Sequence, residues 1–563
     1  MVAALLVLLA SVASAQSPVP PAEGLTPAPP QQEFVEGETP EYSQVIVAKL
    51  SGIVTVGNPD EVVKEGLSGV KGVVNRGVAM PDEAAFKARL AKFIGGPLTM
   101  ENRTEILNEV VYYFREHGRP FVDVSVLPQD ITDGVLQILV LQAKVGEVRV
   151  MGGKWFDEKA VAGIVRSRPG EALDANAIAR DLEWINRNPF RQVDLVYVKG
   201  AEFGTANLLL RTVDRFPVRV YAGFDDTGTK VTQNERISAG VNWGNAFGGD
   251  RQLDYQFMTS PDLRSFRAHS ASLTQPLPWR HLLTVFGSYA DIRAKLPAPF
   301  DLSGYNWQAS VRYEVPLRGT AALKHSFNAG FDYKQTNNNL TFGGVSVFAT
   351  KTAIAQFSAG WNGKLKDGLG ETSARATGTF SPGRLVPNAD NDSYRATRAD
   401  ARAHYVYGKL ELNRATRLPL GCELDDAASF QVSDSNLLPS EQLGFGGQDS
   451  VRGYDTRAYN ADDGWLLSTE LRSPAWDGLA RRWKELADKW QVLGFVDFGA
   501  GHNHLRLPGE RAEAKLLSVG PGVRWNFSTN ASLRADYGWQ LLNEAEAGRP
   551  YASRAHFSAV VRY

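Results

Sequence analysis

Two stretches of this 563-residue chain have residue types and spacing that could act on each other. Gln442–Tyr454 reads QLGFGGQDSVRGY: its glycines permit sharp turns, and one cation, Arg452, stands between Val451 and Gly453, followed by Tyr454. Downstream, Phe495-Val496-Asp497-Phe498-Gly499 places a single carboxylate in an apolar run. A guanidinium and a carboxylate can meet in a bidentate bond, which is stronger than an exposed ion pair when shielded from water. The chemistry on offer is fastening. From spacing alone, a solvated loop arginine and an unrelated aspartate fit equally well.

Other candidates point to no reaction. His502 and His504 flank Asn503, with no carboxylate or cysteine at metal-ligand spacing, so they read as a surface loop. Asp425-Asp426 and Asp462-Asp463 read as solvated loop charges. Serines, histidines and acids occur, but without a nucleophile elbow or H-E-x-x-H. No catalytic residue, metal or cofactor is expected, and the chain does not read as an enzyme. The single cysteine, Cys422, excludes an intrachain disulfide and reads as strand packing.

The elements that must position Arg452 and Asp497 are strands. After about Phe216 helical periodicity almost stops and alternation takes over. Tyr305, Trp307, Ala309, Val311, Tyr313 and Val315 fall on one face; Asn306, Gln308, Ser310, Arg312 and Glu314 fall on the other. The runs around 518–527, 533–541 and 556–563 repeat the pattern, the last ending on Tyr563. Apolar and polar faces in strand after strand, with no covering helices, predict a transmembrane antiparallel β-barrel with a polar lumen. Segmentation gives about sixteen strands, each of ~10 residues plus a connection. In that frame Val496 and Phe498 face lipid and Asp497 faces the lumen. Gln442–Tyr454 falls in a long connection between strands at about 424–433 and 465–472. A soluble β-sandwich or propeller is the competing reading, but no blade-length repeat appears.

Composition agrees with this class. Hydrophobic residues make up 43% and charged residues 22%, so the chain is not disordered. Lys plus Arg number 61 against 62 Asp plus Glu, which gives no sign of a nucleic-acid partner. Past the first fifteen residues no apolar run approaches the ~18 needed for a membrane helix, which leaves a barrel open.

Residues 1–15 (MVAALLVLLASVASA) read as a secretory signal with an A-x-A cleavage site, and 16–41 as a Pro-rich linker. Residues 42–145 and 146–214 read as two small β-α-α-β-β units. In the first, an apolar strand over Val45–Val56 precedes helices at Asp82–Phe93 and Glu101–His117, then β-rich runs at Phe121–Leu127 and Val135–Val145. The second has helices at Asp157–Arg166 and Asp174–Asn186 and a hairpin over Gln192–Val213. Residues 215–563 form the barrel. Between Thr55 and Met80 the first unit carries extra residues with no legible role.

V-R-G-Y in a Gly-rich loop, followed by F-x-D-x-G in a later strand, resembles the two-partner secretion transporters of the outer membrane. These are the TpsB-type, ShlB/FhaC/HecB haemolysin secretion/activation proteins, within the superfamily that includes the barrel-assembly proteins. The resemblance extends over nearly the whole chain, including PQDITDG (128–134), GEALD (170–174) and NRNPFR (186–191). It implies two POTRA domains in the periplasm before a sixteen-stranded barrel in outer-membrane lipid. It also implies a secreted, TpsA-like protein as partner, exported unfolded, and a monomeric chain. By the same resemblance the loop carrying Val451, Arg452, Gly453 and Tyr454 tucks into the lumen, and Arg452 pairs with Asp497 in the strand motif of Phe495, Asp497 and Gly499. Family members often begin with an amphipathic helix that plugs the pore; the Pro-rich 16–41 segment is unsuited to one. A barrel-assembly insertase, which usually carries more POTRA units, and a small-solute channel are the rival functions.

Overall fold

The structure, a computed structural model, describes residues 45–563 apart from 203, 295, 343–344, 479–486, 507, 509–510 and 544–551. The expected signal peptide and linker, and any N-terminal plug, lie outside the described residues. The chain divides into two compact units that part between Phe216 and Pro217.

The N-terminal unit holds two α/β sheets. The first has the strand order Gly72–Arg76, Gly52–Val56, Val135–Gln142, Val122–Ser125; the first three are parallel and the last is antiparallel. Helices Glu83–Ala91 and Met100–Glu116 begin at side-chain caps from Asp82 and Thr99. Their apolar faces (Phe86, Leu90, Ile106, Tyr113, Phe114) bury against Ile53, Leu136 and Ile138. The residues between 55 and 80 now have a role. They add the edge strand Gly72–Arg76, and their Val62, Leu67 and Val70 cover the second face of the sheet over Val54, Val56 and Leu139.

Two apolar runs that read as single strands are each divided. Val45–Val47 pairs with Leu98–Thr99, outside the main sheet, because the backbone at 50–52 turns to donate to the Gly96 and Gly134 carbonyls. The Val135–Val145 run breaks at Ala143, whose amide donates to Phe121 O, and Lys144–Met151 opens the second sheet. That sheet runs Lys144–Met151, Thr205–Asp214, Arg191–Lys199, under helices Glu158–Ala162 and Ala175–Ile185. The helix expected over 157–166 is shorter, since Gly163 takes the C-cap position.

The second unit is a closed barrel of sixteen strands among the described residues, every neighbouring pair antiparallel. Its first strand, Val218–Asp225, pairs with its last, Ser553–Arg562, so the wall has no edge. An even number of strands puts both ends of this unit on one rim. Side chains alternate: Val496 is 49% exposed on the outside, whereas Asp497 beside it is 0% exposed inside. Among the described residues no helix is long and apolar enough to cross a membrane; the crossing is made by strands. The seventh and eighth strands, Leu323–Phe342 and Val345–Lys366, run to 20 and 22 residues, about twice the ~10 a bilayer requires. A short helix, Asn391–Thr397, precedes the tenth strand and packs its Tyr394 with Leu437 and Leu438. Between the eleventh strand (Glu423–Ser433) and the twelfth (Asp463–Arg472) lies a long connection with its own two-stranded sheet, Leu443–Phe445 with Tyr459–Ala461.

Candidate functional site: a connection fastened inside the barrel

Residues 434–462 fold inward, where Phe445, Val451, Arg452 and Tyr454 are all buried. The turn is possible because Gly446, Gly447 and Gly453 take φ of +99°, +103° and +90°, a region closed to most side chains.

Arg452 lies 2% exposed at the tip. Its Nε donates to Asp497 Oδ2 at 2.7 Å and its Nη2 to Asp497 Oδ1 at 2.7 Å. Its backbone amide also donates to Asp497 Oδ2 at 3.0 Å. The loop arginine and the strand aspartate are therefore brought together, bidentate and dry. The remaining guanidinium nitrogen, Nη1, meets Glu470 Oε1 at 2.5 Å. Beneath the guanidinium the Phe495 ring lies with its centroid 3.6 Å from Cζ, so the cation is held on an aromatic face as well. Ser468 Oγ donates to Asp497 Oδ1 at 2.7 Å.

Phe495, Asp497 and Gly499 share the lumenal face of the thirteenth strand, Asp488–His502, and each does a different job. Phe495 supports the cation, Asp497 binds it, and Gly499 makes room. A Cβ at Gly499 would come within 2.7 Å of Phe445 and 3.0 Å of Val451. Gly464 and Gly501 likewise leave space for Phe445, at 2.6 and 2.7 Å. Three missing side chains form the slot that seats the loop's phenylalanine.

Gly453 needs its lack of a side chain twice over. Besides its positive φ, a Cβ there would stand 2.8 Å from the Gly538 carbonyl oxygen, and one on Gly538 would stand 2.7 Å from Gly453 N. Loop and wall meet backbone to backbone. Gly453 N donates to His556 Nε2 at 3.0 Å, and Gln540 Nε2 donates to Gly453 O at 2.7 Å. Tyr454 completes the motif. Between the fourteenth strand (Glu513–Phe527) and the fifteenth (Ala531–Asn543) the register slips, Leu517 facing Leu542 but Ser518 facing Gln540. The Tyr454 hydroxyl sits in that gap, accepting from Leu517 N at 3.2 Å and within reach of both the Leu517 and Leu542 carbonyls for its one proton. A loop side chain thus bonds the wall's backbone at the bulge, where Leu541 is the residue the register skips.

Alternation did not reveal the rest of the network. Glu470 also binds Arg472 and Arg524, at 2.7 and 3.1 Å, and Asp536 binds Arg524 and Arg534, each at 2.7 Å. Asp425 binds Arg472 at 2.5 Å. Asp425-Asp426 is therefore no solvated loop pair: both lie in the eleventh strand, where cross-strand arginines can reach the lumenal Asp425. Asp462 is corrected in the same way. It is fully buried and holds Arg398 at 2.5 Å, because the loop's return strand turns its side chain inward. Across the lumen, buried Glu441 accepts from Lys334 at 2.8 Å, Gln356 at 3.0 Å and Tyr407 at 2.9 Å. The connection is thus tied to distant parts of the wall, by Glu441 to the seventh, eighth and tenth strands and by its tip to the twelfth and thirteenth through Arg452 and to the fifteenth and sixteenth through Gly453. Burial raises the Glu441 carboxyl, but the Lys334 ammonium and its hydrogen-bond donors outweigh that, leaving it below the ordinary value. Gly538 could have been found in the sequence: a glycine within a strand of aromatic residues marks a close backbone approach.

His502 closes the thirteenth strand five residues beyond Asp497, and His504 lies two residues past its end. The carboxylate that spacing did not supply is present in space, since Asp463 Oδ2 lies 3.2 Å from His504 Nε2.

A sixteen-stranded barrel whose inward connection is fastened by an arginine to a strand aspartate, preceded by two α/β sheets, defines an outer-membrane protein transporter. The family model for haemolysin secretion/activation protein ShlB/FhaC/HecB matches residues 204–525, more than half of the chain. The chain belongs to that family. It is 24% identical over 456 residues to the heme/hemopexin transporter protein HuxB of Haemophilus influenzae, covering 77% of this chain and 76% of that one. It is 23% identical over 469 residues to the outer membrane transporter CdiB of Dickeya dadantii, covering 78% and 77%. In fold it is similar to the structure of CdiB from Escherichia coli, with a TM-score of 0.77 and 18% identity over 94% of this chain and 93% of that one. The chain is a two-partner secretion transporter of the outer membrane, its two α/β POTRA domains periplasmic and a TpsA-like secreted protein its partner.

Proposed function

We propose that the connection over 434–462 is the gate of this export pore, and that the Arg452–Asp497 pair is its latch. The observation that carries the reading is a lumen bridged from wall to wall by one segment, held at Glu441 on one side and at Arg452 on the other. In this reading the segment moves before a polypeptide passes. The partner, an unfolded protein of the haemolysin or haemagglutinin type, is captured in the periplasm by adding an extended stretch to a POTRA sheet edge. Backbone hydrogen bonds supply affinity and side-chain pockets supply selectivity. The edge strands of the described sheets, such as Arg191–Lys199, offer that template. The partner then crosses the polar lumen, and its folding outside gives the direction. The reading assigns the chain no catalytic reaction. The reading takes one chain with its outer face in lipid as the working unit, with module boundaries near residues 145 and 215.

A secretion assay tests this. Arg452→Ala and Asp497→Ala should each cut export of the cognate partner while the barrel stays folded and heat-modifiable on gels. Normal export by both variants would sink the latch.

A further inference from the structure

The rim opposite the barrel's chain ends carries three metal-ligating side chains that the export machinery does not use. Asp463 is the first residue of the twelfth strand and His502 the last of the thirteenth, and the two are direct cross-strand partners. Partners opposite each other in a ladder present their side chains on the same face. Two residues on, His504 returns to that face: its Nε2 lies 3.2 Å from Asp463 Oδ2 and 3.2 Å from Ser433 Oγ. The two imidazole rings stand 5.9 Å apart, centroid to centroid, at 83°. One ligand atom from each of Asp463, His502 and His504 falls within 4.8 Å of the others. Glu513, the residue facing His502 from the fourteenth strand, adds a second carboxylate at the same level.

We propose that Asp463, His502 and His504 form a site for a divalent transition-metal ion of the zinc type. Two imidazoles and a carboxylate suit such an ion and not calcium or magnesium, which prefer all-oxygen shells. Two bonds of ~2.1 Å at a tetrahedral angle set ligand atoms ~3.4 Å apart, so small rotations of exposed side chains close the triad. Glu513 or water completes four-coordination.

The backbone beneath is already fixed, which distinguishes the triad from three surface residues that happen to be near. Asn503, between the histidines, points the other way. It donates to Tyr459 Oη at 3.0 Å and accepts from Arg398 at 3.0 Å and Gln442 at 2.9 Å. Leu505 N donates to Asn436 Oδ1 at 2.9 Å. The ligating carboxylate is oriented too: its Oδ1 accepts from Ser433 N at 2.7 Å, leaving Oδ2 toward His504. Support of this kind is what aims a ligand and raises affinity. The ion would bridge the ends of two strands directly beside Asp462, where the inward connection rejoins the wall.

The test uses the full-length, untagged protein in detergent micelles and does not depend on export. Titration with Co2+ should give one equivalent of tetrahedral absorption, discharged by Zn2+. His502→Ala, His504→Ala and Asp463→Asn should each weaken binding at least tenfold, and His404→Ala should not. A second readout guards against misfolded variants: Zn2+ should raise the thermal unfolding temperature of the wild type, and chelator should reverse it. Equal metal uptake by the wild type and the His502→Ala/His504→Ala double variant, or no uptake by the wild type at ~100 μM metal, where binding of even ~−5.5 kcal/mol registers, overturns the site.

Discussion

At the scale of the residue, Arg452 is held by charge, by hydrogen bonds and by an aromatic face, and these can be separated. Asp497→Asn keeps the shape and the Ser468 contact but removes the charge beneath a buried guanidinium. Breaking a buried pair in this way costs ~3–5 kcal/mol. The variant should therefore expose 434–462 to added protease in intact cells, with the barrel still heat-modifiable. Gly538→Ala reaches the same end sterically. Its new methyl would meet Gly453 N and the Arg452 carbonyl carbon, so it should loosen the loop with every charge in place. If Gly538→Ala leaves protease sensitivity unchanged, backbone contact is not part of the latch. Alternation placed Asp497 inside, and the family resemblance named its partner. Glu470 and Asp425 stayed hidden because which arginines face a given carboxylate depends on strand register, and one sequence does not fix register across a sixteen-stranded wall.

At the scale of the element, the connection behaves as a beam with two fastenings. The Glu441 end makes a pH prediction. Its carboxyl is held below the ordinary value, so it binds its proton less readily folded than unfolded. The stability it lends is complete above the unfolded pKa and is lost as pH falls through the depressed one. Conductance of the pore in planar bilayers should rise on acidification through that window. Lys334→Met should remove the step, because it leaves Glu441 buried beside no cation; an unchanged step would assign the acid response elsewhere. The elements were unequally legible. Strands with apolar-polar alternation could be read directly, whereas the strand Gly72–Arg76 could not. It is short and half-buried, and it follows a glycine-rich stretch that carries no period. The inward hairpin Leu443–Phe445 with Tyr459–Ala461 is three residues a side, too short for alternation to declare itself.

At the scale of the whole molecule, the N-terminal unit has its own apolar cores, around Phe86 and Phe114 in one sheet and around Ile185 and Phe190 in the other. A fragment of residues 45–216 should fold alone, give a cooperative unfolding transition and bind an extended segment of the secreted partner with micromolar affinity. A fragment that unfolds without cooperativity would mean the sheets need the barrel. The overall plan of two α/β modules and a closed barrel was the most legible part of the sequence, since it rests on period and order over hundreds of residues and not on any single contact.

The Tyr454 hydroxyl in the bulge between the fourteenth and fifteenth strands has a consequence for the cell that carries the pore. In the proposed gate, withdrawing the loop takes the Tyr454 hydroxyl from the backbone of Leu517 and Leu542 and leaves water to replace it, which forfeits the ~0.5–1.5 kcal/mol that an intramolecular hydrogen bond contributes on balance. Idle opening is thereby disfavoured in the same act that frees the channel, and contacts with a captured passenger offset it. A bacterium can therefore keep many copies of so wide a tube in its envelope without leaking nutrients or admitting antibiotics. Tyr454→Phe, which keeps the ring and loses the hydroxyl, should show as heightened sensitivity to large antibiotics such as vancomycin before any fall in secretion.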